Sequence, residues 1–403
     1  MVAWTVLAAF AIRLAVRMVL GEHTFMNEGY SFYLGMAREI AAHPTAIFSG
    51  DLAGRPPLYP SLLAIVGGAH TRFLPILIVQ SLIGAGTVFY TYLIGSEIFS
   101  RWVGATAAFL AAVYPYYVVH DTAVQETSTM TFLAALATYL LLVATRRRSN
   151  RDALLAGVVL AAVVLTRLTM LPFAVLALVW VFFWGTSSRD ARTHLGVIAA
   201  LPLCAALAGW LGWNARKQGR LTLRDGVASQ FWIAHNPGTF SAYPDSSIDL
   251  SHRRSLAMLT PAERAEYRSA FRDGTPMESW FAGRAWGYIR QHPGATFRGA
   301  IRMLTVGFSW QISPRAPRAK ALLYTLSYGP VIALALVGSV LSRSHWRRLG
   351  LIYANVIAFV IVTALFWAHT SHRVHLDVYF MILAAYAIER ARAIAAGRGT
   401  PAG

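Results

Sequence analysis

The sequence predicts an all-α fold, a polytopic transmembrane helix bundle with interfacial helices and one external loop domain, on three observations. Charged residues make up only 13% of the 403 residues and hydrophobic residues 56%, whereas a soluble globule carries about a quarter charged residues. Apolar windows of about 20 residues, the length that crosses the hydrocarbon layer, recur along the chain and give about ten spans. The net charge of +18 falls mostly between those windows. That distribution sets orientation in a membrane and argues against nucleic acid as a partner.

The arginine clusters order the spans. Arg146-Arg147-Arg148 with Arg151, Arg189 with Arg192, Arg343 with Arg347-Arg348, and Arg390 with Arg392 and Arg398 form four groups. Short Arg-rich loops stay on the cytoplasmic side, so neighbouring clusters must be separated by an even number of crossings. Leu154 to Thr166 and Leu168 to Trp184 supply two, broken near Thr166-Arg167, and Leu349 to Trp367 with Val374 to Ile388 supply two more. Leu195 to Trp213 exits and Leu322 to Leu341 returns, leaving the polar stretch between them outside. Within it, Phe297 to Ser313 is apolar but carries Arg298 and Arg302, the pattern of an amphipathic helix lying in the interface.

At the N-terminal end, Val2 to Leu20 exits; it lacks a basic leader and a small-residue cleavage site, so it is expected to be retained. Its Arg13 and Arg17 are expected to face the bundle interior. Gly21 to Gly54 is polar, with a helix expected over Tyr30 to Ala42, and Pro56 to Val66 is too short to span and is expected to lie in the interface. Phe73 to Ile98, Trp102 to Val119 and Thr127 to Ala144 complete the spans. The expected organisation is a transmembrane region over 1–213 holding the catalytic core, an external loop over 214–320 and a second transmembrane region over 321–403. Both termini are expected in the cytoplasm. Cys204 is the only cysteine, so no disulfide framework exists.

The unusual polar residues gather at the expected outer boundary. Glu28 follows Asn27 just beyond the first span and precedes Tyr30; Arg55 opens the Arg55-Pro56-Pro57-Leu58-Tyr59-Pro60 run. His120, Asp121 and Glu126 lie between the third and fourth spans, and His369, His372, Arg373, His375 and Asp377 between the last two. Ionisable groups at membrane depth face a cavity or each other, which fits an active site there. Each also has a structural reading. Glu28 is then a solvated loop acid, Glu126 a helix N-terminal acid, and Arg55 and Arg373 are headgroup or interface anchors. His372 and His375 lack the dense ligand set of a metal site. No cofactor is expected, and a divalent-metal requirement stays open.

The order of these pieces resembles the bacterial branch of the C-type (GT-C) glycosyltransferases, which is similar to protein O-mannosyltransferases and the lipid A aminoarabinose transferase. The pieces are Asn27-Glu28-Gly29-Tyr30, Ala37-Arg38-Glu39, the Arg55 to Pro60 run, Tyr114-Pro115, Gln125-Glu126, Trp213-Asn214, Trp232 to Pro237 including Asn236, His292-Pro293 and His372-Arg373. The resemblance implies a transferase in the cytoplasmic membrane that moves a sugar from a polyprenyl-phosphate-linked donor to a hydroxyl acceptor of the cell envelope on the external face. It implies Glu28 and Glu126 as catalytic acids, and Arg55, Arg373 and His372 at the donor phosphate. Asn27, Tyr30, Tyr59, His120 and Asn236 are then expected to contact substrate. Asn27 stands where the family carries an aspartate. Two other readings stay open, a transporter or flippase of lipid-linked substrates and a catalytically inactive family member.

Overall fold

The computed structural model describes residues 2–27, 30–45, 55–68, 70–219, 221–272 and 277–397, and no strand occurs among them. Eighteen α-helices form among the described residues: α1 (Val2–Asn27), α2 (Phe32–Ala42), α3 (Leu58–Gly67), α4 (Phe73–Ile98), α5 (Arg101–Val113), α6 (Pro115–Asp121), α7 (Thr127–Arg147), α8 (Asn150–Thr166), α9 (Leu171–Trp184), α10 (Arg189–Gln218), α11 (Val227–Ala234), α12 (Ile248–Ala257), α13 (Pro261–Arg272), α14 (Met277–Gln291), α15 (Pro293–Gly307), α16 (Arg318–Leu341), α17 (Gly350–Leu365) and α18 (Val374–Ala395). By internal packing the chain divides into two units. The first comprises Met1–Leu223, Leu326–Ala358 and Val374–Gly403; the second comprises Arg224–Thr325 and Phe359–Arg373.

The stretches expected to span are helical over most of their length. Five helices (α1, α4, α7, α10 and α16) meet both the length and the apolarity needed to cross a membrane. The others are shorter, bent or more charged, as α18 is with Asp377, Glu389 and Arg390. The third expected span differs from a single rod. It breaks between α5 and α6 with a bend of 62°. Pro115 is the cause: it removes a backbone donor, and its ring pushes Tyr114 into the extended region (φ −68°, ψ 111°). The expected break at Thr166-Arg167 is present, with Arg167 extended between α8 and a short 3-10 turn.

In the first unit α4 is the central rod, packed on α1, α5 and α7. Its approach to α5 is made by two glycines, since a Cβ on Gly95 would lie 2.9 Å from the Gly104 Cα. Small residues allow this close packing where no hydrophobic drive separates helix from lipid. Serines cap the helices that start beside arginines: Ser100 accepts from Val103 N and Ser149 from Asp152 N. Apolar side chains left on the outside, among them Val19, Ile65 and Phe183, are anomalous against water and ordinary against lipid tails.

The two ends of this bundle are chemically distinct. At one end the arginine-rich turns meet. Arg146 pairs with Glu97 at 2.7 Å, Ser100 donates to Glu389 at 2.6 Å, and the Trp180 indole donates to the Arg347 carbonyl at 2.9 Å. At the other end of α4 lie the turns around residues 30, 120–126 and 167. The second unit packs α11 on α12 and α14, with α13 and α15 against α14. Its core gathers Trp232, Ile233, Tyr243, Ile248, Phe281 and Met303.

Candidate functional site

The site in the first unit is built on the turn between α6 and α7. Arg13 on α1 is fully buried and donates through Nε to Asp121 Oδ2 at 2.7 Å, with further bonds to the Ala9 and Ala112 carbonyls. Arg17, one helical turn on, donates to Thr122 Oγ1 at 3.2 Å. Both arginines face the bundle interior, as the cost of an unpaired charge in hydrocarbon demands. Gly84 on α4 makes room for the ion pair: a Cβ there would lie 2.6 Å from Arg13 Nε. The Gln80 amide donates to the carbonyls of Asp121 and Ala123, and the Tyr59 hydroxyl donates to Gln80 Oε1. The Tyr30 N–H donates to the Val124 carbonyl at 2.8 Å, which ties the loop that follows α1 to the same turn.

Glu126 emerges from this clamped turn at the N-cap of α7, yet its side chain makes no cap bond. The residue is 7% exposed. One carboxylate oxygen lies 3.6 Å from Arg167 Nη1, and the Tyr33 hydroxyl of α2 faces the same carboxylate. Burial first, then the Glu126 charge, push the Tyr33 phenol well above its ordinary value, so it is a hydrogen-bond donor at any physiological pH. The other oxygen, Oε2, is buried with no partner among the described residues. A buried carboxylate oxygen with no partner costs free energy unless a ligand or water completes it.

The structure places the remaining sequence candidates as follows. Asn27 is exposed at the end of α1 and Tyr30 is exposed on the loop, while Tyr59 is fully buried on α3. Glu28 lies outside the described residues, two positions before Tyr30 in sequence. Arg55 is exposed, its guanidinium 5.2 Å from the Phe32 ring at the start of α2. His120 is buried on α6, its Nδ1 bonded to the Gln125 amide. Arg167, Tyr33 and Gln80 were not singled out by sequence. Arg167 carried a signal, an arginine interrupting an apolar run; Tyr33 and Gln80 carried none.

The second unit holds a separate cluster. Arg373 is fully buried and donates through Nη2 to the Tyr324 hydroxyl at 3.0 Å; Tyr324 in turn donates to the Ser309 carbonyl at 2.8 Å. His372 is half-buried, its ring 4.9 Å from that of Trp367. The Asn236 side chain is occupied by its own turn: it donates to the Trp232 carbonyl and accepts from Gly238 N, both at 2.7 Å. Among the described residues no group of three or more His, Cys, Asp or Glu is arranged to hold a metal.

Residues 54–210 match the family model described as dolichyl-phosphate-mannose-protein mannosyltransferase. No curated protein sequence matches the chain. Among solved structures, the Archaeoglobus fulgidus oligosaccharyltransferase in its apo form is similar with a TM-score of 0.60 at 14% identity, over 100% of this chain and 53% of that one. The same enzyme complexed with Zn and sulfate gives 0.57 at 14% identity, over 98% of this chain and 50% of that one. In complex with an inhibitory peptide and a dolichol-phosphate it gives 0.51 at 14% identity, over 100% of this chain and 52% of that one. The chain thus spans about half the length of these structures. The likeness shows the fold, an all-helical architecture shared with the archaeal oligosaccharyltransferase, in keeping with the fold that the sequence resemblance implied.

Proposed function

We propose that this chain, as a C-type glycosyltransferase, moves a sugar from a polyprenyl-phosphate-linked donor to a hydroxyl acceptor of the cell envelope, at the external face of the cytoplasmic membrane. The observation that carries the reading is Glu126. Its carboxylate is held by Arg167 and Tyr33, has one oxygen without a partner among the described residues, and sits on a turn tied to the loop that follows α1. The family match over 54–210 supports the lipid-phosphate donor. A dolichol-phosphate occupies one of the fold's structural neighbours.

In this reaction the acceptor oxygen attacks the anomeric carbon. The bond from that carbon to the phosphate oxygen breaks, its electron pair leaves with the lipid phosphate, and the acceptor proton goes to a carboxylate. In our reading Glu28 takes that proton, and a general base of this kind contributes about 10²- to 10⁴-fold in rate. Glu126, already paired with Arg167, orients the acceptor through Oε2. Arg373 and Arg55 meet the donor phosphate with fixed charge and planar donors, and His372 assists. A single displacement inverts the anomeric centre.

The test is turnover by the purified chain in nanodiscs containing polyprenyl-phosphate-mannose. The reading expects release of free polyprenyl phosphate, accelerated by a hydroxyl acceptor. Movement of intact donor across vesicle membranes without release would instead establish a transporter, and neither outcome would leave a catalytically inactive chain. The side of the membrane is tested separately in a Cys204→Ala background. Ser247→Cys should react with an impermeant maleimide added to intact cells, and Asn150→Cys should not; the opposite pattern would invert the topology.

A further inference from the structure

His369, in the loop between α17 and α18, is not used by the chemistry above, and its hydrogen-bond account does not close. The Ser313 hydroxyl has one proton, and it is donated to the Pro244 carbonyl at 2.9 Å. Ser313 Oγ also lies 2.8 Å from His369 Nδ1. The serine proton is already spent, so Nδ1 carries the hydrogen and donates. The lone pair of the ring therefore sits on Nε2, which is buried and has no partner among the described residues. The residue is 7% exposed. Burial holds the imidazole at about 4, against a weak upward pull from the Asp249 carboxylate, so the ring stays neutral and Nε2 stays an acceptor.

The surroundings are aromatic. The Tyr243 ring lies 5.2 Å away, Trp367 5.6 Å and His372 6.3 Å, centroid to centroid. Two of these are themselves pinned: Tyr243 donates to the Ala368 carbonyl at 2.6 Å, and the half-buried Trp367 donates to Gln230 Oε1 at 3.0 Å. A fixed, neutral acceptor among rigid rings suits a ligand that combines a hydroxyl donor with apolar C–H faces. A carbohydrate has both. Phosphate is the wrong partner, because an anion brings acceptors to an acceptor.

We propose that His369 Nε2 is a sugar-selecting contact, accepting a hydrogen bond from one hydroxyl of the donor sugar, while Arg373 three residues on in sequence serves the phosphate. This rests on the donor class given under Proposed function.

The test uses two substitutions that separate the two ring nitrogens. Asn keeps a donor where Nδ1 meets Ser313 and supplies nothing where Nε2 stood; Gln places its amide at the Nε2 position and can present an oxygen. Binding of polyprenyl-phosphate-mannose, of its four monodeoxy analogues and of polyprenyl phosphate alone is measured on the full chain in nanodiscs. His369→Asn should weaken binding of the mannosyl lipid by about 10-fold, the scale of one neutral hydrogen bond. It should leave polyprenyl phosphate unaffected and add no further loss with one particular deoxy analogue. His369→Gln should recover most of the affinity. Equal additivity of His369→Asn with all four analogues would overturn the contact, as would an equal effect on the sugar-free lipid. If the wild-type chain bound neither lipid, the donor class itself would fall, a result separate from failure at His369.

Discussion

The two units solve the problem of buried polar groups in opposite ways. In the first, the interior is ionic: Arg13 with Asp121, and Arg167 with Glu126, lie among helices that turn apolar faces outward. In the second, the buried polar groups are mostly neutral and are satisfied by backbone. Asn236 and Thr239 close their own turn, Tyr243 reaches the Ala368 carbonyl, and Thr370 donates to the Ser313 carbonyl. Charge inside a bilayer is tolerated when paired, and neutral networks serve where loops supply spare carbonyls. The difference teaches where each unit can spare a group for a ligand. Among the buried atoms without a partner, the ionic unit includes one oxygen of the Glu126 carboxylate and the neutral unit includes Nε2 of His369.

The comparison breaks most severely at Gly84. A Cβ there would lie 2.6 Å from Arg13 Nε and 2.7 Å from the Asp121 carboxyl carbon. Gly84→Ala should separate the pair and cost about 3–5 kcal/mol, the scale of a buried ion pair losing a partner. A large drop in the thermal midpoint of the detergent-solubilised chain checks this. Gly209→Ala, where nothing lies within 4 Å, should leave the midpoint nearly unchanged.

Arg373 is the charged exception in the neutral unit, and its removal should act on ligand rather than only on stability. Arg373→Ala should weaken polyprenyl-phosphate binding by about 10- to 100-fold, as for a lost charge-assisted bond. Lysine should rescue it only in part, because an ammonium lacks the planar fork. Tyr324→Phe removes only the hydroxyl that receives Arg373 Nη2 and should cost about fivefold. Equal losses in Tyr324→Phe and Arg373→Ala would mean that the pair acts purely as structure.

A smaller effect sharpens the contrast by pH. His369 is held at about 4 in the folded chain against an ordinary 6.5. Between those values the unfolded state binds the extra proton, so stability is complete above 6.5, falls as pH drops toward 4 and flattens below it. His369→Asn should flatten that part of the thermal-midpoint profile relative to wild type. An unchanged slope would contradict the buried neutral ring.

Much of this was legible in the sequence because membrane burial writes itself into long apolar windows. The arginine clusters announced one end of the bundle, and Arg13 and Arg17 announced an interior partner. Pro115 marked the break between α5 and α6 only once its bend was seen, since a proline inside an apolar run is compatible with a straight reading. The partners themselves were hidden. Glu126 meets Arg167 and Tyr33 through tertiary packing that no local period encodes, and the His369 tautomer depends on Ser313, 56 residues away in sequence. The acid of the loop that follows α1, Glu28, is a sequence-based assignment.

The central claim is that one acid takes the acceptor proton and a second, paired acid positions the acceptor. The most direct measurement compares Glu28→Gln and Glu126→Gln for mannose transfer from polyprenyl-phosphate-mannose, alongside donor binding by the same preparations. The account predicts that Glu28→Gln keeps donor affinity and loses turnover by about 10²- to 10⁴-fold, with a smaller loss in Glu126→Gln. Full turnover in Glu28→Gln with an inactive Glu126→Gln would reverse the two roles, and near-normal turnover in both would contradict acid–base catalysis by these residues.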